Sequence, residues 1–421
     1  MLFKPSQYNC IKTGEKVAIF NTFSGCLALL EKEEFSKIQH IDKYCSIDDD
    51  IRCWLKQGLI VESSKNESSL VNYCRCRDTF LKNKPIYRIL TTSACNARCF
   101  YCYEQGRPIQ TMSKETATKV AKFIVKCSSD AESLTLNWFG GEPLLNPEVI
   151  TLITQKVTRD LQGKRIHSTI ITNASLFSKE LITLAKDVWN LSNIQISLDG
   201  LAKRHDKRKA YISSKYSFEK TIKIIKLLLT AGLNVSLRLN YDKKNFVDIK
   251  DLVYYIKEIF GNSTNLSCYA YPLFNTFTHD ENVYLSEEDI PIYESEIKKV
   301  LAECRFYNPL KTLPRRTHSC FATDPYSYVI NADGLLYKCT MDMSDTSQAI
   351  GNVEDGVKIG DSMIEWTMPT LPEQCNKCIL LPICQGGCRA GRLLNINMND
   401  CAIKKQSIEF TLENLLNTNM I

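Results

Sequence analysis

The chain has 421 residues, 44% of them hydrophobic and 24% charged, and a formal net charge of +6. This is the composition of a globular protein of two or three domains; so mild a charge does not point to nucleic acid, and the sequence has no dense basic arm. Its nineteen cysteines are the feature that such a composition does not explain.

The start, "MLFKPSQYNC", has no basic segment leading into an apolar stretch and a small-residue cleavage site. No segment approaches the run of about 20 apolar residues that spans a bilayer. The expectation is a cytoplasmic protein, with neither membrane nor nucleic acid as partner, whose clustered cysteines are metal ligands rather than disulfides.

Residues 1–80 read as a small independent module. "YNCIKTGEKVAIFN" predicts two short strands around a Thr-Gly turn. "KEEFSKIQH" and "DDDIRCWLKQG" predict short helices, the second opened by acids, and "GLIVES" an edge strand. Together they suggest a winged-helix-like unit, followed by a polar linker at "SSKNESS". Residues 81–280 alternate strand-like and helix-like runs. The strands are "IYRILTTS", "SLTLNWF", "HSTIITN", "NIQISLDG", "NVSLRLN" and "NLSCYAYPL". Helices are expected between them, from about 113, 147, 178, 218 and 247. Six such units predict an α/β fold, a partial (β/α)6 barrel. The basic run "KRHDKRK" (203–209) reads as a solvated loop. Residues 281–421 open with a helix at about 287–304 and then become irregular and cysteine-rich. Cys10, Cys26, Cys45, Cys53, Cys127 and Cys268 read as apolar filler, and Cys74 and Cys76 as incidental.

In α/β barrels the reactive groups sit where strands end and loops begin. Cys95, Cys99 and Cys102 ("CNARCFYC") follow the first strand, and Gly140, Gly141, Glu142 and Pro143 the second. Thr172 and Asn173 end the third, Ser197 to Gly200 the fourth, and Arg238 and Asn240 the fifth. Singly, a Gly-Gly or Asp-Gly pair is a turn, and Asp199 reads as a turn cap. Jointly, these sets converge on one cavity beside a three-cysteine loop. Three thiols are one short of a full structural zinc or cluster site, so either a fourth ligand lies elsewhere or one metal position is open. A second pattern follows: Cys320, Cys339, Cys375, Cys378, Cys384, Cys388 and Cys401. Its CxxC spacing suits structural zinc as well as iron–sulfur clusters.

"CNARCFYC" resembles the CxxxCxφC loop of the radical S-adenosylmethionine (radical SAM) enzymes, with Tyr101 as φ. "FGGEPLL", "ITNASL" and "ISLDG" resemble that superfamily's other strand-end motifs, over about residues 85–275. The resemblance implies a [4Fe-4S] cluster on Cys95, Cys99 and Cys102, whose open iron chelates the methionine end of S-adenosyl-L-methionine. It puts Gly140, Gly141 and Glu142 at the methionine ammonium, and Ser197 and Arg208 at the ribose and carboxylate. Tyr101, Pro143, Thr172, Asn173 and Arg238 complete the implied cofactor site.

The later cysteines resemble the SPASM extension of these enzymes, which carries two auxiliary [4Fe-4S] clusters and so implies three in all. Cys375, Cys378, Cys384 and Cys401 would hold one, and Cys320, Cys339 and Cys388 the other. Some relatives have a further cysteine where this chain has Pro314, which leaves Cys304 or a substrate thiolate to complete that site. The implied function is a radical SAM/SPASM peptide maturase. It would use a 5'-deoxyadenosyl radical to install a thioether or carbon–carbon crosslink in a ribosomally synthesised precursor peptide. The first 80 residues resemble the PqqD-like, RiPP-recognition-like module that binds a leader peptide at a strand edge. An electron donor such as flavodoxin or ferredoxin is a further expected partner. Two alternatives stand beside this reading. Anaerobic sulfatase-maturating enzymes carry an Asp directly after the cysteine equivalent to Cys339, where this chain has Thr340 and its nearest acid is Asp342. A non-catalytic, zinc-bound peptide-binding protein is the other. No residue is assigned as general base.

Overall fold

The computed structural model describes residues 2–44, 47–261, 263–273, 282–310, 320–343, 345–368, 370–394 and 400–417; Cys45 and Pro314 lie outside them. The N-terminal part carries β1 (Phe3–Pro5), β2 (Asn9–Thr13), β3 (Val17–Asn21), β4 (Leu27–Leu30), α1 (Lys32–Gln39), α2 (Asp49–Gln57) and β5 (Ile60–Glu62). β2, β3 and β4 form an antiparallel sheet, and β1 pairs with β5. One face of this unit closes on Phe3, Val17, Ile19, Ile51, Trp54 and Ile60. α3 (Glu67–Thr79) follows. It begins inside the stretch expected to be a linker, because the Asn66 side chain accepts from Ser69 N–H at 3.0 Å and caps it.

The central sheet is parallel through β6 (Ile86–Leu90), β7 (Ser133–Phe139), β8 (Arg165–Thr172), β9 (Leu191–Leu198), β10 (Val235–Tyr241) and β11 (Leu266–Pro272). The intervening helices are α4 (Lys114–Cys127), α5 (Pro147–Asp160), α6 (Lys179–Asp187), α7 (Ala202–Lys209), α8 (Phe218–Thr230) and α9 (Phe246–Phe260). Ser113, Ser178 and Ser217 cap α4, α6 and α8 through their side-chain oxygens. The strands bury Val, Ile, Leu and Trp against these helices, as parallel sheets covered by helices do. In sequence order the six strands lie side by side, the mostly parallel sheet of a partial barrel.

Two strands extend this sheet beyond the six expected. β12 (Tyr328–Ile330) pairs parallel with β6, and β13 (Leu336–Tyr337) pairs antiparallel with β12. The C-terminal part is thereby sewn to the first barrel strand. Between the two parts runs α10 (Ile290–Glu303). The remaining helices are α11 (Asp361–Thr367), α12 (Leu381–Cys384), α13 (Arg389–Leu393) and α14 (Asp400–Asn417). α14 returns to the N-terminal unit: Ile408 and Leu412 pack with Ala18 and Phe20, and Lys12 pairs with Glu413 at 2.9 Å. Among the described residues no helix is long and apolar enough to cross a membrane.

Candidate active site

The residues between β6 and α4 form a loop that folds back over the carboxyl ends of the strands. Its course is fixed by the two glycines after β7. Gly141 N–H donates to Thr92 O (3.0 Å) and Glu142 N–H to Ala94 O (2.8 Å), so the "GGE" segment runs beside the approach to Cys95. A Cβ at Gly140 would lie 2.3 Å from Thr92 O, and one at Gly141 2.3 Å from Ala94 O. Gly140 also has φ +142. No larger residue fits either place, which is the physical content of the motif.

A cavity of about 380 Å³ opens there. Its walls carry Cys95, Cys99 and Cys102 together with Tyr101, Gly140, Gly141, Thr172, Asn173 and Ser197. The structure thus brings together residues from four of the predicted strand ends. Burial, above all, pushes the Cys95 thiol up to about 12 and raises those of Cys99 and Cys102. Such thiols are thiolates only beside a compensating cation, which a bound cluster supplies.

Glu142 is fully buried and braces the cavity. Its Oε1 accepts from Thr172 Oγ1 (2.7 Å) and Leu144 N–H (3.1 Å), and its Oε2 from Asn173 N–H (2.8 Å). Burial raises its carboxyl to about 6 against these hydrogen bonds. The carboxylate ties the end of β7 to that of β8, and it lies behind the cavity wall. Pro143 is likewise buried, its carbonyl accepting from Thr91 Oγ1.

The largest departure from expectation is at "KRHDKRK". It is α7, not a solvated loop, and His205, Arg208 and Lys209 are buried. His205 meets Asp199 N–H and Tyr211 OH six residues to either side, whereas Arg208 and Lys209 have partners further off in sequence. Arg208, expected at the cofactor, instead pairs with buried Asp242 at 2.7 Å and lies 4.8 Å from the Phe100 ring centre, off the cavity wall. Lys209 does stand on the wall, with Arg98 and Arg107. Its Nζ donates to Ser197 Oγ (2.8 Å) and Tyr101 OH (3.0 Å) and lies 3.2 Å from Asp199 Oδ2. Asp199, expected only to cap a turn, is the hub. It accepts from Tyr101 OH (2.6 Å) and Asn240 Nδ2 (3.1 Å). Burial raises the Asp199 carboxyl, but Lys209, His205 and Tyr101 outweigh it and hold it below its ordinary value. Burial opposes the charge on Lys209 too, and Asp199, Tyr101 and Cys99 outweigh it in turn. Arg238 donates to Asn240 Oδ1 (3.0 Å) and stacks 4.8 Å from the Tyr271 ring centre, also off the wall.

Glu104 was missed by the sequence reading. Two residues beyond Cys102 it lines the same cavity, 8% exposed, and neither carboxylate oxygen accepts a hydrogen bond. Tyr103 and Arg107 lie close enough to lower its pKa, yet burial dominates and raises it to about 7. A thiol triad, a close glycine cradle and an orphaned acceptor suit a cluster with a polar ligand beside it.

The later cysteines lie in two neighbourhoods. Cys339 lies within electrostatic reach of Cys320 and Cys388. Cys375 is in reach of Cys378 and Cys384, and Cys401 of Cys384 and Cys375. Among the described residues no three His, Cys, Asp or Glu side chains converge tightly enough for a single metal ion. Cys304, a possible further ligand by sequence, is buried in the main core near Cys268. Asp342 turns to Trp366 Nε1 (3.0 Å) and lines a separate cavity of about 210 Å³.

Known proteins resemble this arrangement. A model of the Radical SAM superfamily matches residues 89–259. Fe-coproporphyrin III synthase of Methanosarcina barkeri is 26% identical over 45% of this chain and 43% of its own length. The antilisterial bacteriocin subtilosin biosynthesis protein AlbA of Bacillus subtilis is 29% identical over 40% and 36%. With these two relatives, the matched region spans less than half of either partner. A cysteine-type anaerobic sulfatase-maturating enzyme of Clostridium novyi is 24% identical over 72% of this chain and 86% of its own. In fold, anSMEcpe with bound AdoMet aligns at a TM-score of 0.64 with 18% identity, over 80% of this chain and 98% of that one. Streptococcus suis SuiB bound to precursor peptide SuiA aligns at 0.52 with 16% identity, over 95% and 98%. Residues 89–259, with the three-cysteine loop and glycine cradle at their strand ends, form a Radical SAM domain.

Proposed function

We infer that this chain is a peptide maturase that installs a thioether or carbon–carbon crosslink in a ribosomally made precursor. The observation that carries the reading is the N-terminal unit, fixed to the body of the protein with a strand edge open. Among the described residues no strand pairs with the outer side of β4. Strand addition there gives a leader peptide main-chain hydrogen bonds. SuiB, which binds a precursor peptide, and AlbA, which serves bacteriocin biosynthesis, support a peptide substrate.

Cys95, Cys99 and Cys102 would hold the radical cluster, which when loaded supplies reductive cleavage of S-adenosylmethionine to a deoxyadenosyl radical. The chain's own part is to orient. Gly140 and Gly141 let the end of β7 run against the cysteine loop without a side chain between, and Glu142 holds β7 and β8 in register behind the cavity wall. Lys209 fixes the Ser197 and Tyr101 hydroxyls towards the cavity. The two later cysteine groups would hold auxiliary clusters, with Cys320, Cys339 and Cys388 leaving one position for a substrate thiolate.

Formylglycine formation is the second reading, favoured by the extent of the Clostridium novyi match. Against it, Thr340 stands after Cys339, and Asp342 faces Trp366 rather than the radical cavity. The test is to incubate the reconstituted protein with dithionite, S-adenosylmethionine and two synthetic peptides. One is a short Cys-containing precursor encoded beside the gene, the other a sulfatase motif peptide. A product lighter by two hydrogens with a new internal link in the first peptide supports maturation, and formylglycine in the second overturns it.

A further inference from the structure

The wall of the radical cavity leaves one polar group unanswered. Beyond Cys102 the loop makes two successive turns: Gln105 N–H donates to Cys102 O (3.1 Å) and Arg107 N–H to Glu104 O (3.2 Å), with Gly106 at φ +83. These turns set Glu104 and Arg107, three residues apart, on the same wall. Glu104 is almost fully buried, and neither of its carboxylate oxygens accepts a hydrogen bond. Among the described residues it is the one carboxylate that lines this cavity.

Each cation on the wall is engaged elsewhere. Arg98 donates through Nη1 to Cys95 O and Ala97 O, both at 2.8 Å, and Lys209 is held by Ser197, Tyr101 and Asp199. Arg107 turns its Nη2 to Thr340 O at 3.2 Å. None of the three donates to Glu104. An ionised carboxylate left so is costly, and a cation that enters with its own N–H donors removes the cost.

The surroundings say what kind of cation. Ile109 is 70% exposed and Ile171 37%, and both line the cavity. Aliphatic surface leading to a buried carboxylate suits Lys or Arg, whose methylene stems cover apolar surface while the head makes charge-assisted bonds. The glycine cradle abuts the limb of the loop that enters Cys95, whereas Glu104 stands on the limb that leaves Cys102. That second limb is the one joined, through Arg107 and Thr340, to the neighbourhood of Cys339.

We propose that Glu104 is a specificity-determining residue whose carboxylate receives a Lys or Arg side chain of the precursor peptide, close in sequence to the residue that loses its hydrogen. No bond is made or broken at Glu104; it selects the peptide and fixes its register over the cavity. The inference rests on the peptide-maturase reading and adds to it the kind of residue that the core peptide must carry.

The probe is the short Cys-containing precursor encoded beside the gene, synthesised with a fluorophore. Companion peptides have each Lys or Arg of the core changed singly to Gln or to Glu. Binding is followed by anisotropy on reconstituted wild type, Glu104→Gln and Glu104→Lys, with iron content and S-adenosylmethionine affinity measured for each. One Gln peptide is expected to bind wild type about tenfold more weakly, a loss that needs no variant protein. Glu104→Gln should bind the native peptide equally weakly and be indifferent to that same change. Glu104→Lys should prefer the Glu peptide at that position. A peptide change that weakens wild type and Glu104→Gln by the same factor would overturn the proposal, as would a core in which no Lys or Arg matters. Loss of S-adenosylmethionine affinity in Glu104→Gln with peptide affinity intact would give the carboxylate to the cofactor, and loss of iron would make it structural; either overturns the proposal. A wild type that neither binds nor alters the precursor would overturn the maturase reading, and this proposal with it.

Discussion

The cavity over the barrel strands and the segment at 371–394 are both lined with cysteines, but they are held together by different forces. The cavity stands on a continuous apolar core that includes Trp138, Trp189, Ile194 and Leu237. Its polar groups are bonded across strand ends, Asp199, Lys209, Tyr101 and Asn240 to one another and Glu142 to Thr172 and Asn173. The segment at 371–394 has helices of four and five residues, and its buried apolar side chains are little more than Leu380, Leu381 and Ala390. Helices so short are unstable alone. A pre-organised site can wait for its metal, whereas a segment with so little core needs metal in order to fold.

That contrast can be broken most forcefully by removing iron. Anaerobic chelation is expected to unfold 371–394 and leave the barrel native. The chain has four tryptophans, one of them Trp366 beside Cys339 and Cys388 and two in the barrel core. Emission from Trp366 in a single-tryptophan variant should shift to the red, while that from Trp138 and Trp189 stays fixed. Equal shifts from both regions would erase the distinction.

A smaller effect, confined to the barrel, is expected of Lys209→Met. Asp199 would be left as an uncompensated buried charge, which costs about 3–5 kcal/mol. Denaturant unfolding followed at Trp138 and Trp189 measures it, and adding Asp199→Asn should recover much of the loss. If the double variant is no better than the single one, the pair is not coupled as the geometry requires.

Much of this contrast was legible in the sequence. The six strands, their order and the three-cysteine loop follow from alternation of apolar runs and from spacing that local residues dictate. The triad Cys95, Cys99 and Cys102 and the glycines at 140 and 141 meet on one cavity as read. What was not legible depended on partners remote in the chain. "KRHDKRK" looks solvated because its cations outnumber the acids near them; Asp199, which reads as a turn cap, and Asp242, from the end of β10, pair with Lys209 and Arg208 in the fold. Glu104 escaped notice because its significance is an absence of partners, which no spacing reveals. α14 and the β12–β13 hairpin were hidden for the same reason, since each is stabilised by packing on elements hundreds of residues earlier.

The barrel's pH response sharpens the comparison further. Burial lowers His205 to about 3, so it stays neutral in the folded barrel while the unfolded chain takes up a proton near 6.5. A depressed value stabilises the fold above the unfolded pKa, and the stability drains as pH falls towards the folded one. From pH 7 to 5.5 the loss is about 1 kcal/mol. A His205→Gln variant should show a flatter dependence over that window, whatever its absolute stability; an identical slope would exclude His205 as the cause. The smallest effect is expected at the seam between the N-terminal unit and α14. Glu413→Gln removes a half-exposed ion pair with Lys12 and should change stability by less than about 1 kcal/mol at low salt, and by nothing measurable at high salt.

The most direct measurement is an iron and sulfide count on anaerobically reconstituted wild type and on the Cys95→Ala, Cys99→Ala, Cys102→Ala variant. Each should then be incubated with dithionite and S-adenosylmethionine. About twelve irons falling to about eight, with deoxyadenosine formed only by wild type, is the expected result for one radical and two auxiliary clusters. Zinc in place of iron, or deoxyadenosine still formed by the triple variant, would contradict it.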